Sequence, residues 1–214
     1  MCAPGNWEET LVLPAEKLVA NMGHYNEPHK LPGQGKCSFD LIDPCILWAE
    51  LDLPPGIAFL DLGCGQGNYA LAAAEIIGST GVVYAVDLWD EGIVSLKARV
   101  CRECRSNLKP LVADVQQVPL ENNSVDVALM ATVLHDLMEE GTGAGALAEV
   151  ARVLKPGGRL AIVEFDKLEG PPGPPRHIRL APEEVETLVT PYGFRRHKIK
   201  KLGPYNYLIT FINN

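Results

Sequence analysis

The stretch "FLDLGCGQGNYAL", Phe59–Leu71, sets three glycines, Gly63, Gly65 and Gly67, on alternate positions behind an apolar run that carries one acid, Asp61. The run "IAFLDL" reads as a short buried strand, and the Ala-rich "GNYALAAAEII" after it reads as a helix. Between the two, removing Cβ at Gly63, Gly65 and Gly67 lets the backbone bend sharply and lets a ligand approach its N–H groups. In sheets built from such units, ligands bind outside the carboxyl ends of the strands. A nucleotide-type cofactor is therefore expected at this turn. Dinucleotide sites space their glycines G-x-G-x-x-G; counted from Gly63, the last glycine would fall at Asn68, so that fingerprint is broken and G-x-G-x-G stands in its place.

Working outward, strand and helix alternate. "GVVYAVDL" is a second strand ending at Asp87, 20 residues beyond Gly67, where a carboxylate can accept both hydroxyls of a ribose. A helix over Glu91–Ser106 follows, then a third strand, "LKPLVAD", closing on Asp114, and a fourth, "SVDVALMATVL". "AGALAEVARVL" is a helix stopped by "KPGG", where Pro and Gly cannot continue it. "RLAIVEF" is the fifth strand, and a Pro-rich "EGPPGPPR" leads to a helix near "APEEVETLVTPYG". "FRRHKIKKL" and "NYLITFI" close the pattern as a hairpin on the sheet edge. The predicted fold is α/β: a Rossmann-like, doubly wound, mostly parallel seven-stranded sheet with a C-terminal antiparallel hairpin and helices on both faces. Upstream, "SFDLIDPCILWAELDL" predicts a helix capped by Ser38, Asp40 or Asp43 with Pro44 in its first turn. Residues 1–38, rich in Pro, Gly, Asn and His, read as an irregular arm ahead of a domain over 39–214.

Composition narrows the partners. A formal net charge of -8 disfavours a general nucleic-acid binder, which needs a basic face to neutralise phosphates. A small-molecule substrate suits the balance better, and the oligomeric state is left open. No apolar run approaches the roughly 18 residues of a membrane helix, and no export leader is evident, so a soluble, cytoplasmic protein is expected. Its six cysteines then read as thiols. Cys101 and Cys104 form a lone CxxC on a helix, without the second pair or the histidines that zinc wants, so no metal is expected.

The series "FLDLGCGQGNYAL", "VVYAVDL", "LVADVQQVPLENNSVDVALM" and "EVARVLKPGGRLAIVEF" resembles class I S-adenosylmethionine-dependent methyltransferases, in particular the small-molecule branch that includes the quinone C-methyltransferases. The resemblance implies S-adenosyl-L-methionine as cofactor and S-adenosyl-L-homocysteine as product. It implies that Gly63, Cys64, Gly65 and Gly67 face the methionine part, with Asp61 anchoring its amino end. It implies further that Asp87 binds the ribose hydroxyls, that Leu88 packs on adenine, that Asp114 and Val115 recognise the adenine edge, and that Ala131 begins the loop beneath the methionine part. Asp126 is read instead as a turn former or helix cap.

Methyl transfer from a sulfonium is an in-line displacement, so positioning is the main demand, and a base is needed only where the nucleophile must lose a proton early. His135, after the fourth strand, is the candidate base; the alternative is a loop histidine bonded to Asp136 with no chemistry. Arg176, His177 and Arg179, after the Pro-Gly loop, are candidates for a lid over the substrate, and His24 and Tyr25 in the arm are candidates for a cap. The basic "RRHKIKK" could attract an anion or simply blunt an edge strand. The place after the fourth strand reads "ATVLHDL" rather than the Asn/Asp-Pro-Pro-aromatic sequence of enzymes that methylate amide or base nitrogens. The acceptor is therefore expected to be a small molecule attacked at carbon, oxygen or sulfur. Two alternatives remain: a thiol-assisted methyltransferase of a metalloid such as arsenite, which would need Cys37, Cys45, Cys101 and Cys104 to converge, and a non-catalytic cofactor-binding scaffold.

Overall fold

A computed structural model describes residues 37–214, so His24, Tyr25 and nearly all of the expected arm lie outside the described residues. One compact unit spans Gly33–Asn214. Its first elements are a single 3-10 turn, Phe39–Leu41, and helix α1, Pro44–Leu51. Of the three candidate caps the chain uses Asp43, whose carboxylate accepts from the Cys45 and Ile46 N–H groups at 2.9 and 3.4 Å, with Pro44 tolerated where its missing N–H costs nothing.

The alternation then runs β1 (Ala58–Leu62), α2 (Asn68–Ile77), β2 (Val82–Asp87), α3 (Asp90–Arg102), β3 (Leu108–Val112), β4 (Val125–Ala131), α4 (Leu134–Glu139), α5 (Gly143–Val153), β5 (Leu154–Phe165), α6 (Pro182–Val189), β6 (Phe194–Lys201) and β7 (Asn206–Asn213). The seven strands lie in the order β3-β2-β1-β4-β5-β7-β6. The first five are parallel; β7 is antiparallel to both β5 and β6. The closing hairpin thus reaches the sheet with its second strand innermost and leaves the charged β6 on the edge opposite β3. Strand order reverses between β1 and β4, which opens a crevice at their carboxyl ends.

Alternation along the strands builds two cores. Phe59, Val83, Ala85, Val127 and Leu129 pack with Leu47, Ala70 and Leu96 of α1, α2 and α3, whereas Leu60, Leu62, Val86, Ala128 and Met130 pack with Leu134, Leu147 and Val185 of α4, α5 and α6. Both faces of the sheet are covered, as parallel strands require.

Three details differ from the sequence reading. "KPGG" does not stand outside the sheet: the ladder passes from Val125–Leu154 straight to Val127–Arg159, so Lys155–Gly158 bulge from β5. Asp126 is neither turn former nor helix cap but sits inside β4, and its carboxylate takes the Ala58 N–H at 2.9 Å and Lys155 Nζ at 2.7 Å, tying three strands together. The segment after β4 is not a loop throughout but contains the short helix α4.

Candidate active site

The three glycines of the turn are glycines for different reasons. A Cβ on Gly63 would stand 2.6 Å from Val133 Cγ2, and one on Gly67 would stand 2.4 Å from Leu96 Cδ2, so both are emptied by the protein's own packing. Gly65 has nothing within 4 Å of such a Cβ. Its bare Cα, at φ +54°, faces open space. Four N–H groups of the turn are spent internally: Gly63 and Cys64 donate to Val86 O at 2.8 and 3.1 Å, Gly67 to Cys64 O at 2.8 Å, and Gly65 to Asp87 Oδ2 at 2.7 Å. The expectation that a ligand would take these N–H groups is corrected. A turn that cradles a pyrophosphate keeps its N–H groups for the anion, and this one does not. The Cys64 side chain is buried in the core, so only its backbone borders the crevice.

Asp61, one residue before the end of β1, is 1% exposed, and its Oδ2 has no hydrogen-bond partner. Burial, with the Asp87 charge adding to it and the Ala70 N–H at the start of α2 opposing it, pushes its pKa from 3.8 up to about 7. An orphaned, buried carboxylate oxygen costs stability unless a donor reaches it. Beside the open face of Gly65, an ammonium group is the donor that fits.

At the end of β2, the Asp87 carboxylate receives the Gly65 N–H and, at 2.8 Å, the Trp89 N–H. Each oxygen keeps a lone pair for a further donor such as a ribose hydroxyl. Leu88 is 41% exposed, an apolar surface where an adenine is expected. Asp114 lies two residues past β3, and its Oδ1 accepts the Gln116 N–H at 2.8 Å in an Asx turn. The Val115 side chain belongs to the core, so any ligand contact there would fall to its backbone.

The segment after Ala131 holds the least expected geometry. Thr132 adopts φ +53°, rare for a β-branched residue, and such strain persists only where the surroundings over-determine it. They do so here: the Thr132 N–H donates to Val163 O at 2.7 Å, and its hydroxyl donates to Ser38 Oγ at 2.9 Å. Ser38 in turn bonds the Tyr69 hydroxyl at 2.9 Å. The chain of three hydroxyls pins residue 38 across the start of α2 and the end of β4.

His135 is the second residue of α4 and 4% exposed, not a loop residue in solvent. Glu164, fully buried near the end of β5, accepts its backbone N–H at 3.1 Å and its Nδ1 at 2.7 Å, so one carboxylate from a neighbouring strand caps the helix and grips the ring. Nε2 lies 3.5 Å from Asp136 Oδ1. Burial opposes charge on this ring, but the hydrogen bond and charge of Glu164, with Asp136 and Glu139 adding, outweigh it and hold the pKa above its ordinary value. The Glu164 carboxylate on Nδ1 fixes the ring and makes it more basic, leaving Nε2 on the side of Asp136.

Of the three residues expected in a lid, the structure separates Arg179, which is 1% exposed, from Arg176 and His177 on the loop surface. Glu164 was missed, although a lone acid in an apolar strand run is the same signal that singled out Asp61. The hydroxyl chain was missed because its members lie 31 and 94 residues apart. Cys37, Cys45 and Cys101 are exposed free thiols, Cys104 is exposed as well, and among the described residues no group of three or more His, Cys, Asp or Glu side chains could hold a metal ion.

An open glycine flanked by an orphaned carboxylate and a strand-end acid, all at the switch point of a doubly wound sheet, defines a nucleoside-cofactor site not built around a pyrophosphate. Residues 60–162 match the family described as methyltransferase domain. The chain is 29% identical over 160 residues to the ubiquinone/menaquinone biosynthesis C-methyltransferase of Paraburkholderia xenovorans, covering 75% of this chain and 61% of that one. It is 33% identical over 127 residues to the 2-phytyl-1,4-naphtoquinone methyltransferase of Trichormus variabilis, covering 56% and 54%. The match thus spans about half to three fifths of the length of these curated relatives. Among solved structures, a SAM-dependent methyltransferase from Aquifex aeolicus superposes with a TM-score of 0.76 at 29% identity, covering 85% of this chain and 95% of that one. The domain is a class I S-adenosylmethionine-dependent methyltransferase domain, and S-adenosylmethionine is the cofactor that its site fits.

Proposed function

We propose that the protein transfers a methyl group from S-adenosylmethionine to a small-molecule acceptor, an electron-rich ring of the quinol type. The observation that carries this reading is the buried Asp61 carboxyl, one oxygen of it unpartnered, near the open face of Gly65. Asp61 would hold the amino end of the cofactor, Asp87 its ribose, and Leu88 with Asp114 its base; Gly63, Gly67 and Ala131 shape the walls. When bound, the cofactor supplies an electrophilic methyl on sulfur. The chain's own residues orient the two reactants, the term worth about 7–11 kcal/mol in such a reaction. His135, gripped by Glu164, fixes the segment between β4 and α4 and is the candidate base for the proton that the acceptor must lose. At a ring carbon the new C–CH3 bond forms as the S–CH3 bond breaks, and the proton on that carbon then leaves to His135 or to water. The quinone relatives support an acceptor of this kind. The free thiols of Cys37, Cys45, Cys64 and Cys101 support a reducing, cytoplasmic setting, and no described helix is long and apolar enough to cross a membrane.

The test is methyl transfer from radiolabelled S-adenosylmethionine to a panel of quinols, phenols and thiols, read as labelled product together with S-adenosylhomocysteine. Turnover on a quinol, lost in Asp87→Ala, is expected. Tight S-adenosylhomocysteine binding without turnover on any acceptor would favour the scaffold reading instead.

A further inference from the structure

Beyond the cofactor crevice, the 13-residue connection Asp166–Ile178 after β5 walls a cavity of about 950 Å³, lined by Lys167, Glu169, Pro171, Pro174, Arg176 and His177 among others. The connection is anchored to the reaction end of the sheet through one ring. Phe165 meets the His135 ring edge-on, with centroids 6.1 Å apart; the Arg179 guanidinium lies 5.6 Å over it; and Gly173 presses so close that a Cβ there would stand 2.7 Å from Cδ1. One residue of the lining, Gly173, thus packs on the ring that meets His135.

Two arginines three residues apart divide the work. Prolines at 171, 172, 174 and 175 remove four N–H donors, so the connection cannot satisfy its own carbonyls. Arg179 supplies what is missing: it donates to Asp166 O at 3.0 Å, Gly170 O at 2.6 Å, Pro172 O at 2.8 Å and Pro174 O at 2.8 Å. Its buried charge meets carbonyl dipoles and the Phe165 face, and no carboxylate is recorded against it among the described residues. Lys167, bound to both Glu184 oxygens, and Lys201, bound to Asp166, clamp the near end. Arg176 is placed differently. Its side chain is 57% exposed and engages through Nε alone, with Lys167 O at 3.2 Å and, at 3.6 Å, a Glu169 carboxylate that is itself 83% exposed. Both terminal nitrogens are without a partner among the described residues. A pair this exposed is held weakly and yields readily to a better anion. A guanidinium with its terminal nitrogens unspent matches a carboxylate in two parallel hydrogen bonds.

We propose that this cavity seats the methyl acceptor and that Arg176, aided by His177, selects an acceptor bearing a carboxylate on an apolar ring body, with Arg179 as the positioning residue that holds the cavity in shape. The proposal rests on the methyl-transfer reading and adds the acceptor's charge to it. Calorimetric titration of the S-adenosylhomocysteine-loaded protein with 2-naphthoate and with the neutral 2-naphthalenemethanol tests it. Naphthoate should bind at least tenfold more tightly than the alcohol. Arg176→Ala should remove that preference while affinity for the alcohol and for S-adenosylhomocysteine holds, and Arg176→Lys should restore part of it. Arg179→Lys keeps the charge but offers three donors to four carbonyls, and should weaken both naphthalene ligands together. Equal binding of the two ligands, no binding of naphthoate, or an Arg176→Ala variant that keeps the preference would overturn the proposal. Loss of S-adenosylhomocysteine binding itself would count against the cofactor site, which these ligands do not probe.

Discussion

With Asp61 against the amino end of the cofactor, as proposed above, its raised pKa makes binding a proton-linked event, and the linkage has a definite sign. In the ligand-free protein the carboxyl titrates at about 7, because burial and the charge of Asp87 disfavour its ionised form. An ammonium ligand needs that ionised form. Below pH 7 the free protein carries the proton, and binding must expel it, so apparent affinity falls as pH falls. The handicap is about 11-fold at pH 6 and about 1.3-fold at pH 7.5, an eightfold gain in S-adenosylhomocysteine affinity across that interval. Titration calorimetry in buffers of different ionisation enthalpy should show most of one proton released per ligand at pH 6 and little at pH 7.5. Stability follows the same group with the opposite trend. The folded protein retains a proton that the unfolded chain loses near pH 4, so the ligand-free protein should lose stability as pH rises from about 4 through about 7. Asp61→Asn should bind more weakly, flatten the pH dependence of affinity, and remove this slope. An affinity independent of pH from 6 to 7.5, with no proton released, would refute the placing of Asp61 against the amino group.

The other expectations follow from single contacts. Asp87→Ala removes the acceptor for the Gly65 and Trp89 N–H groups as well as the proposed ribose contacts. Each charge-assisted bond is worth about 1.5–3 kcal/mol, so calorimetry should find cofactor affinity reduced at least tenfold. The raised pKa of His135 means that its pairing with Glu164 stabilises the fold fully below about pH 6.5 and less as pH climbs through the folded value. The gap in thermal midpoint between wild type and Glu164→Gln should accordingly narrow between pH 6 and pH 9, and a constant gap would contradict the pairing. Gly67→Ala drives a methyl to within 2.4 Å of Leu96 at a residue with φ +74°. Overpacking of about 1–3 kcal/mol is expected, lowering the thermal midpoint by several degrees in circular dichroism.

What the sequence disclosed and what it hid differ in range. The strands β1, β2, β4 and β5 are dense apolar runs, because parallel strands covered on both faces must be, and the breaks between them fall at Gly, Pro and Asp. Order along the chain was therefore legible, and so was the crevice, since Asp61 and Asp87 each end such a run. The role of each glycine was not legible: Gly63 and Gly67 answer to Val133 and Leu96, partners far along the chain. Which way an arginine turns is equally long-range. Arg176 and Arg179 share one short segment, yet only the arrangement of proline carbonyls decides that the second goes inward. His135 drew notice as a titratable residue after a strand. Its burial, and the carboxylate that holds it, come from Glu164 on the next strand of the sheet.

The placing of β7 between β5 and β6 has a consequence for the order in which the protein can be completed. A nascent chain that has been synthesised only through Lys201 holds a finished β6 with no neighbour to join, because the position between it and β5 is filled by residues not yet made. Until Asn206–Asn213 arrive, β5 offers a bare edge to any extended segment nearby. The same late segment ends in Asn213, whose side-chain amide donates to Ala151 O, Leu154 O and Lys155 O, closing off the carboxyl end of α5 and the bulge beyond it. The charged residues of β6 then face outward on a finished rim, and the interval in which this sheet is open to other chains ends with its last eight-residue strand.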